Sequence, residues 1–164
     1  MAEFQPKITP MLWFATEALE AAEFYTSVFP DSQLGRVFHA PGDSPGGTAG
    51  QVLSVDFTIA GTAFVALNGG PDFTFSEAVS FVILTDDQRE TDYYWGALTA
   101  DGGEESVCGW LKDRYGLSWQ VTPRRMLELT QSDDPGVGAR SFATMLTMKK
   151  IDIAAIEAAA AASA

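Results

Sequence analysis

Side chains that do acid–base or nucleophilic chemistry are present in this 164-residue chain, but their spacing assembles no reacting set. The lone histidine, His39, and the lone cysteine, Cys108, belong to different segments, and a cysteine becomes a nucleophile only when a base or a positive neighbour lowers its pKa. Among the carboxylates, Asp113 opens the turn Asp113-Arg-Tyr-Gly116, which is ordinary turn chemistry. Asp56 lies mid-strand between Val55 and Phe57, and Glu104-Glu105 reads as a solvated pair. Glu77 belongs to no recognisable motif, and Arg124-Arg125 follow Pro123 as the start of a helix. The glycine-rich run Gly46-Gly-Thr-Ala-Gly50 precedes a strand, whereas a nucleotide-type cofactor sits on a glycine turn that follows a parallel strand and opens a helix.

The elements that must position any such groups come in two copies. Pro10-Met-Leu-Trp-Phe14 leading to Glu23-Phe-Tyr25 recurs seventy residues on as Ser80-Phe-Val-Ile-Leu84 leading to Tyr93-Tyr-Trp95. A repeat of this period predicts two copies of one supersecondary unit facing a shared floor. Apolar runs at Ile8–Phe14 and Val79–Leu84 predict buried strands. Helices follow over Glu17–Val28, capped by Thr16, and over Gln88–Leu98, capped by Asp86 or Asp87. Strands are then expected at Leu34–Ala40, Gln51–Ile59 and Thr62–Asn68, the last two joined by a tight hairpin at Ala60-Gly61. In the second copy they fall at Glu105–Lys112 and Leu117–Val121, with a weakly written strand near Gly103. The order strand, helix, three strands therefore occurs twice, an α+β tandem repeat.

Two segments lie outside the repeat. Pro41–Gly50 is rich in breakers and predicts a mobile loop, read first as a plain connector and alternatively as a lid at a cavity mouth. Beyond Pro123, helices are expected over Arg124–Thr130, Ser141–Met148 and the alanine-rich Ile151–Ala164, the last with too little apolar bulk to hold itself down unless it packs on a partner. With 46% hydrophobic residues, the chain can bury a core without staples. A formal charge of −12 and a pI near 4.2 exclude a phosphate backbone or an anionic membrane as partner, since both would be repelled. One cysteine forms no internal disulfide, and neither an export signal nor a membrane-length apolar run is written, so a cytoplasmic protein is expected.

The stretches Ile8–Phe14, Phe24-Tyr25 through Val28-Phe-Pro30, Ala66–Pro71, Cys108–Asp113, Gly116–Gln120 and Met148–Asp152 resemble the PhnB-like family, many of whose members carry the label 3-demethylubiquinone-9 3-methyltransferase. That family belongs to the vicinal oxygen chelate superfamily, with glyoxalase I, extradiol dioxygenases and the fosfomycin and bleomycin resistance proteins. The resemblance runs from about Lys7 to Glu157. It implies tandem βαβββ modules of the glyoxalase/bleomycin resistance/dioxygenase type in one domain over 1–164. Module one is about 7–71, module two about 77–123, and a helical extension covers 124–164.

Metal-dependent relatives set a His on a module's first strand and a Glu on its last. Those positions map here to Pro10, to Ser80, to Gln120 and to a position between Val65 and Asn68, so no metal and no cofactor is expected. If the relatives' metal positions point inward, Pro10, Leu12 and Phe14 line a cavity between the modules with Ser80, Val82 and Leu84, joined by Ser118, Gln120 and Thr122. Such a chamber suits a small, partly aromatic organic ligand, with Asn68, Ser80, Cys108, Trp110 and Gln120 as its polar and aromatic contacts. Two alternatives stand beside this binding protein: a metal-dependent glyoxalase- or dioxygenase-type enzyme, and the methyltransferase of the family label. The resemblance also implies a homodimer.

Overall fold

The computed structural model describes residues 6–44 and 46–162. The chain divides into two compact units, Met1–Thr74 and Phe75–Ala164. In the first unit, β1 (Met11–Phe14), α1 (Ala18–Val28), β2 (Gln33–His39), β3 (Val52–Ile59) and β4 (Thr62–Asn68) form one four-stranded sheet in the order β1-β4-β3-β2. β1 runs parallel to β4, while the other neighbours are antiparallel. One face packs under α1. Small residues (Ala18, Ala21, Ala22) let the helix approach, and Tyr25 reaches the stacked rings of Phe57 and Phe64. The expected hairpin closes β3 on β4, with Ala60 and Gly61 both at positive φ (46° and 76°), as a two-residue turn matching strand twist requires.

The second unit repeats the plan with β5 (Ser80–Thr85), α2 (Gln88–Thr99), β6 (Glu104–Glu105), β7 (Trp110–Lys112) and β8 (Ser118–Pro123) in the order β5-β8-β7-β6, β5 and β8 being parallel. Helix α2 begins at Asp87, whose carboxylate accepts from the Glu90 amide at 2.8 Å. It buries Thr91, Tyr94, Trp95 and Leu98 against Ile83, Thr85, Trp119 and Val121. Burial raises the Tyr94 phenol above its ordinary pKa. The strand expected over Glu105–Lys112 is split. Cys108 and Gly109 take positive φ (57° and 82°), and their amides bond the carbonyls of Met148 and Lys149 instead of a sheet neighbour.

Helices α3 (Arg124–Thr130), α4 (Pro135–Met145) and α5 (Ile153–Ala161) complete this unit. Helix α4 starts six residues earlier than expected, because Asp134 caps the Gly136 and Val137 amides with Pro135 at the first turn. The expectation of a loosely held alanine-rich helix is overturned for the described residues. Ile156 is fully buried with Met126, Leu129 and Ile151, Asp152 caps the Ala155 amide, and Arg140 donates to the terminal carbonyls of Ala159 and Ala160. Ser163 and Ala164 lie outside the described residues. Within the Pro41–Gly50 loop, Ser44 and Gly47 pair with each other and the Gly50 amide bonds the Ala40 carbonyl, so the segment folds back on itself; Pro45 lies outside the described residues.

Candidate functional site

In a sheet with one helix-covered face, alternation decides which side chains remain for function. In the second unit, Phe81, Ile83 and Thr85 face α2, where the Thr85 and Thr91 hydroxyls meet at 2.7 Å. The opposite face carries Ser80, Val82 and Leu84 from β5, Ser118, Gln120 and Thr122 from β8, and Trp110 and Lys112 from β7. Val82 and Leu84 are 53% and 41% exposed. The rows are ordered across the strands: Ser80, Ser118, Lys112 and Glu104 of β6 are in register, then Val82, Gln120 and Trp110, then Leu84 and Thr122. One end of the face is therefore wholly polar, and the other sets aliphatic and indole side chains beside Gln120 and Thr122.

Two contacts organise the polar end. The Gln120 amide donates to the Ser80 hydroxyl at 2.9 Å. The Lys112 ammonium meets Glu77 at 2.6 Å; that hydrogen bond holds the Glu77 carboxyl below, and the Lys112 ammonium above, their ordinary pKa values. Of the five residues expected to contact a ligand, Ser80, Trp110 and Gln120 are brought together on this face. Cys108 occupies the left-handed turn just before β7. Asn68 belongs to the first unit and pairs with Phe14 on the helix-covered face, where it is 7% exposed. Its carbonyl accepts from the Ala18 amide at 2.8 Å and its amide donates to the Val52 carbonyl at 3.0 Å, so Asn68 caps α1 from a distant strand in place of the expected Thr16.

In the first unit, the expected inward set of Pro10, Leu12 and Phe14 is corrected. Leu12 and Phe14 are 5% and 4% exposed under α1, while Met11 and Trp13 take the open face with Val65 and Leu67. The cause is one residue of loop. β1 reaches α1 through Ala15–Glu17 and β5 reaches α2 through Asp86-Asp87, so the helices repeat at seventy residues but the strands at seventy-one, and one residue of slip reverses every side chain. Trp13 donates from its indole to the Gly70 carbonyl at 2.9 Å and lies edge-on to Phe73. Beside this face a hollow of about 600 Å³ is edged by Arg36, Asp56 and Ala63.

At the positions where the resemblance sets metal ligands, the described side chains are poor donors for a divalent ion. Ser80 and Gln120 are neutral and bonded to each other, and His39 sits at the exposed end of β2 opposite Val52. Among the described residues, no group of three or more His, Cys, Asp and Glu side chains could hold a metal ion. The donor set does not fit a tightly bound metal. Sequence reasoning passed over Lys112, although its place two residues after Trp110 on one strand puts both on one face.

Two βαβββ units of identical topology, each with a helix on one sheet face and the other face open, define a protein of the glyoxalase/bleomycin resistance type. The chain belongs to the PhnB-like family described as 3-demethylubiquinone-9 3-methyltransferase, which matches residues 6–122. It is similar to a putative 3-demethylubiquinone-9 3-methyltransferase, PhnB protein, from Bacillus cereus, at 32% identity over 72% of this chain and 99% of the other, with a TM-score of 0.64. The PA1353 protein from Pseudomonas aeruginosa shares the fold at 18% identity over 73% of this chain and 98% of the other, with a TM-score of 0.60. A glyoxalase/bleomycin resistance protein from Albidiferax ferrireducens T118 matches at 16% identity over 73% and 99%, with a TM-score of 0.46. No curated protein matches the chain.

Proposed function

We propose that this chain is a metal-independent binding protein that holds a small, partly aromatic organic molecule on the open face of its second sheet. The observation that carries the reading is the neutral Gln120–Ser80 pair, placed where the resemblance sets metal ligands and adjoining Trp110, Val82 and Leu84. An indole and two exposed aliphatic chains contribute the stacking and dispersion surface, while an amide and hydroxyls orient the ligand. Asn68 acts here as a positioning residue for α1, and Cys108 as the turn that presents Trp110. Catalysis by a metal or by a bound methyl-donating cofactor forms no part of this reading. A homodimer acting in the cytoplasm does, supported by exposed Phe142 on α4 and Leu146 one turn on at its C-terminal cap, and by the unpaired single cysteine.

A thermal-shift screen of small aromatic acids, amides and quinone-like compounds, followed by calorimetric titration, tests the proposal, because a ligand bound only by the folded state raises the melting temperature with its concentration. Saturable binding that Trp110→Ala or Gln120→Ala weakens about tenfold is the expected result. Stoichiometric Zn, Ni, Mn or Fe in protein purified without chelator would overturn it, as would S-adenosylmethionine binding.

A further inference from the structure

The geometry points to an acidic group on the ligand: the polar end of the second sheet's open face is a receptor for a carboxylate or similar oxyanion, with Glu77 occupying Lys112 until the ligand displaces it. This inference rests on the binding reading above and adds the ligand's charge. Ser118 is 1% exposed, and its hydroxyl has no hydrogen-bond partner among the described residues. A polar group buried without a partner loses its bonds to water and gains none in return, so a hydroxyl kept in that state needs a reason. Its cross-strand neighbours are Ser80 on one side and Lys112 on the other. The Ser80 hydroxyl already accepts from Gln120, which leaves its own proton to donate; the Lys112 ammonium gives one of its three N–H groups to Glu77. Three donors thus stand in one row; the carboxylate at its far end, Glu104 of β6, is in register with Lys112, while the Ser118 hydroxyl in the middle has no acceptor among the described residues.

The Lys112–Glu77 pair has the properties of a displaceable cover. Glu77 lies in the segment entering β5 and Lys112 on β7, so the pair reaches across β8 at the row that holds Ser118. The Glu77 side chain is 63% exposed, and solvent screens an exposed ion pair so that it adds little to stability. A ligand carboxylate would exchange it for a charge-assisted bond to Lys112 together with bonds from Ser118 and Ser80. Because the net charge of −12 repels anions at distance, the selectivity must arise at contact, within a Debye length of about 8 Å. In the rows beyond, the apolar side chains of Val82, Trp110 and Leu84 accept the aromatic body.

Naphthalene-2-carboxylate and naphthalene-2-carboxamide, equal in shape and different in charge, test this by calorimetric titration of the full chain. The carboxylate should bind about tenfold more tightly than the amide. Glu77→Gln should tighten the carboxylate several-fold and leave the amide unchanged, Lys112→Met should erase the difference between the two, and Lys112→Arg should keep it. Equal binding of both compounds, or a carboxylate affinity indifferent to Glu77 and Lys112, overturns the inference while leaving the binding reading intact. Binding of neither compound, with no hit in the wider screen, overturns both. Glu77 is exposed, so its variant folds and the comparison stands even if Lys112→Met does not.

Discussion

At the scale of single residues, position on a covered or an open face outweighs residue type. Asn68 and Gln120 are both amides near the end or middle of a module's last strand, yet Asn68 is consumed by the Ala18 amide and the Val52 carbonyl, whereas Gln120 bonds Ser80 on the open side. Asn68→Leu should therefore destabilise the protein by about 1–3 kcal/mol in urea unfolding, since it strands the buried Ala18 amide and the partly buried Val52 carbonyl, and Asn68→Asp should recover the part due to the Ala18 amide. The Glu77–Lys112 pair gives a pH prediction. The Glu77 carboxyl is held below its ordinary pKa, so its stabilisation is present above the unfolded carboxylate range and is lost as pH falls through the folded value. The Lys112 ammonium is held above its ordinary pKa, so its share is present below the unfolded lysine range and is lost as pH rises through the folded value. The melting-temperature difference between wild type and Glu77→Gln should be largest near neutrality and vanish in acid; a difference that persists at low pH would show that the pair does not act through charge.

At the scale of elements, local chemistry wrote most of what the sequence shows. Asp87 and Asp152 cap the helices they precede, and Ala60-Gly61 makes the β3–β4 turn. Ala60 is an alanine in the left-handed region, so Ala60→Asn should add about 0.5–1 kcal/mol by urea unfolding, and an unchanged or lower stability would refute the account of that turn. Elsewhere the local signal was incomplete. The break at Cys108 and Gly109 was illegible because their amides are satisfied by Met148 and Lys149, some forty residues on, which no nearby pattern announces. The anchoring of α5 was missed for the same reason: alanine predicts weak packing, but Ile156 is completed by Met126, Leu129 and Ile151. Ile156→Ala should cost about 2–4 kcal/mol in the same measurement, and a cost under about 1 kcal/mol would mean that α5 is not held by this cluster.

At the scale of the whole molecule, the proposed dimer predicts a mass twice that of the chain by light scattering at micromolar concentration, with Leu146→Glu shifting the population to monomer; a wild-type monomer would remove that part of the reading. The twofold βαβββ plan, the strands and helices that compose it, the Asp87 cap and the gathering of Ser80, Trp110 and Gln120 were legible in the sequence, because alternation, helical period and turn residues act over a few neighbours. What only the tertiary structure decided was phase and pairing. An extra residue between β1 and α1 turned Leu12 and Phe14 under the helix and freed Met11 and Trp13, Asn68 was recruited to cap a helix fifty residues upstream, and the buried Ser118 hydroxyl next to Lys112 was left without a partner among the described residues. Each of these depends on which groups meet across the sheet, and a hydrogen bond or a buried face is settled by that meeting rather than by the order of residues along the chain.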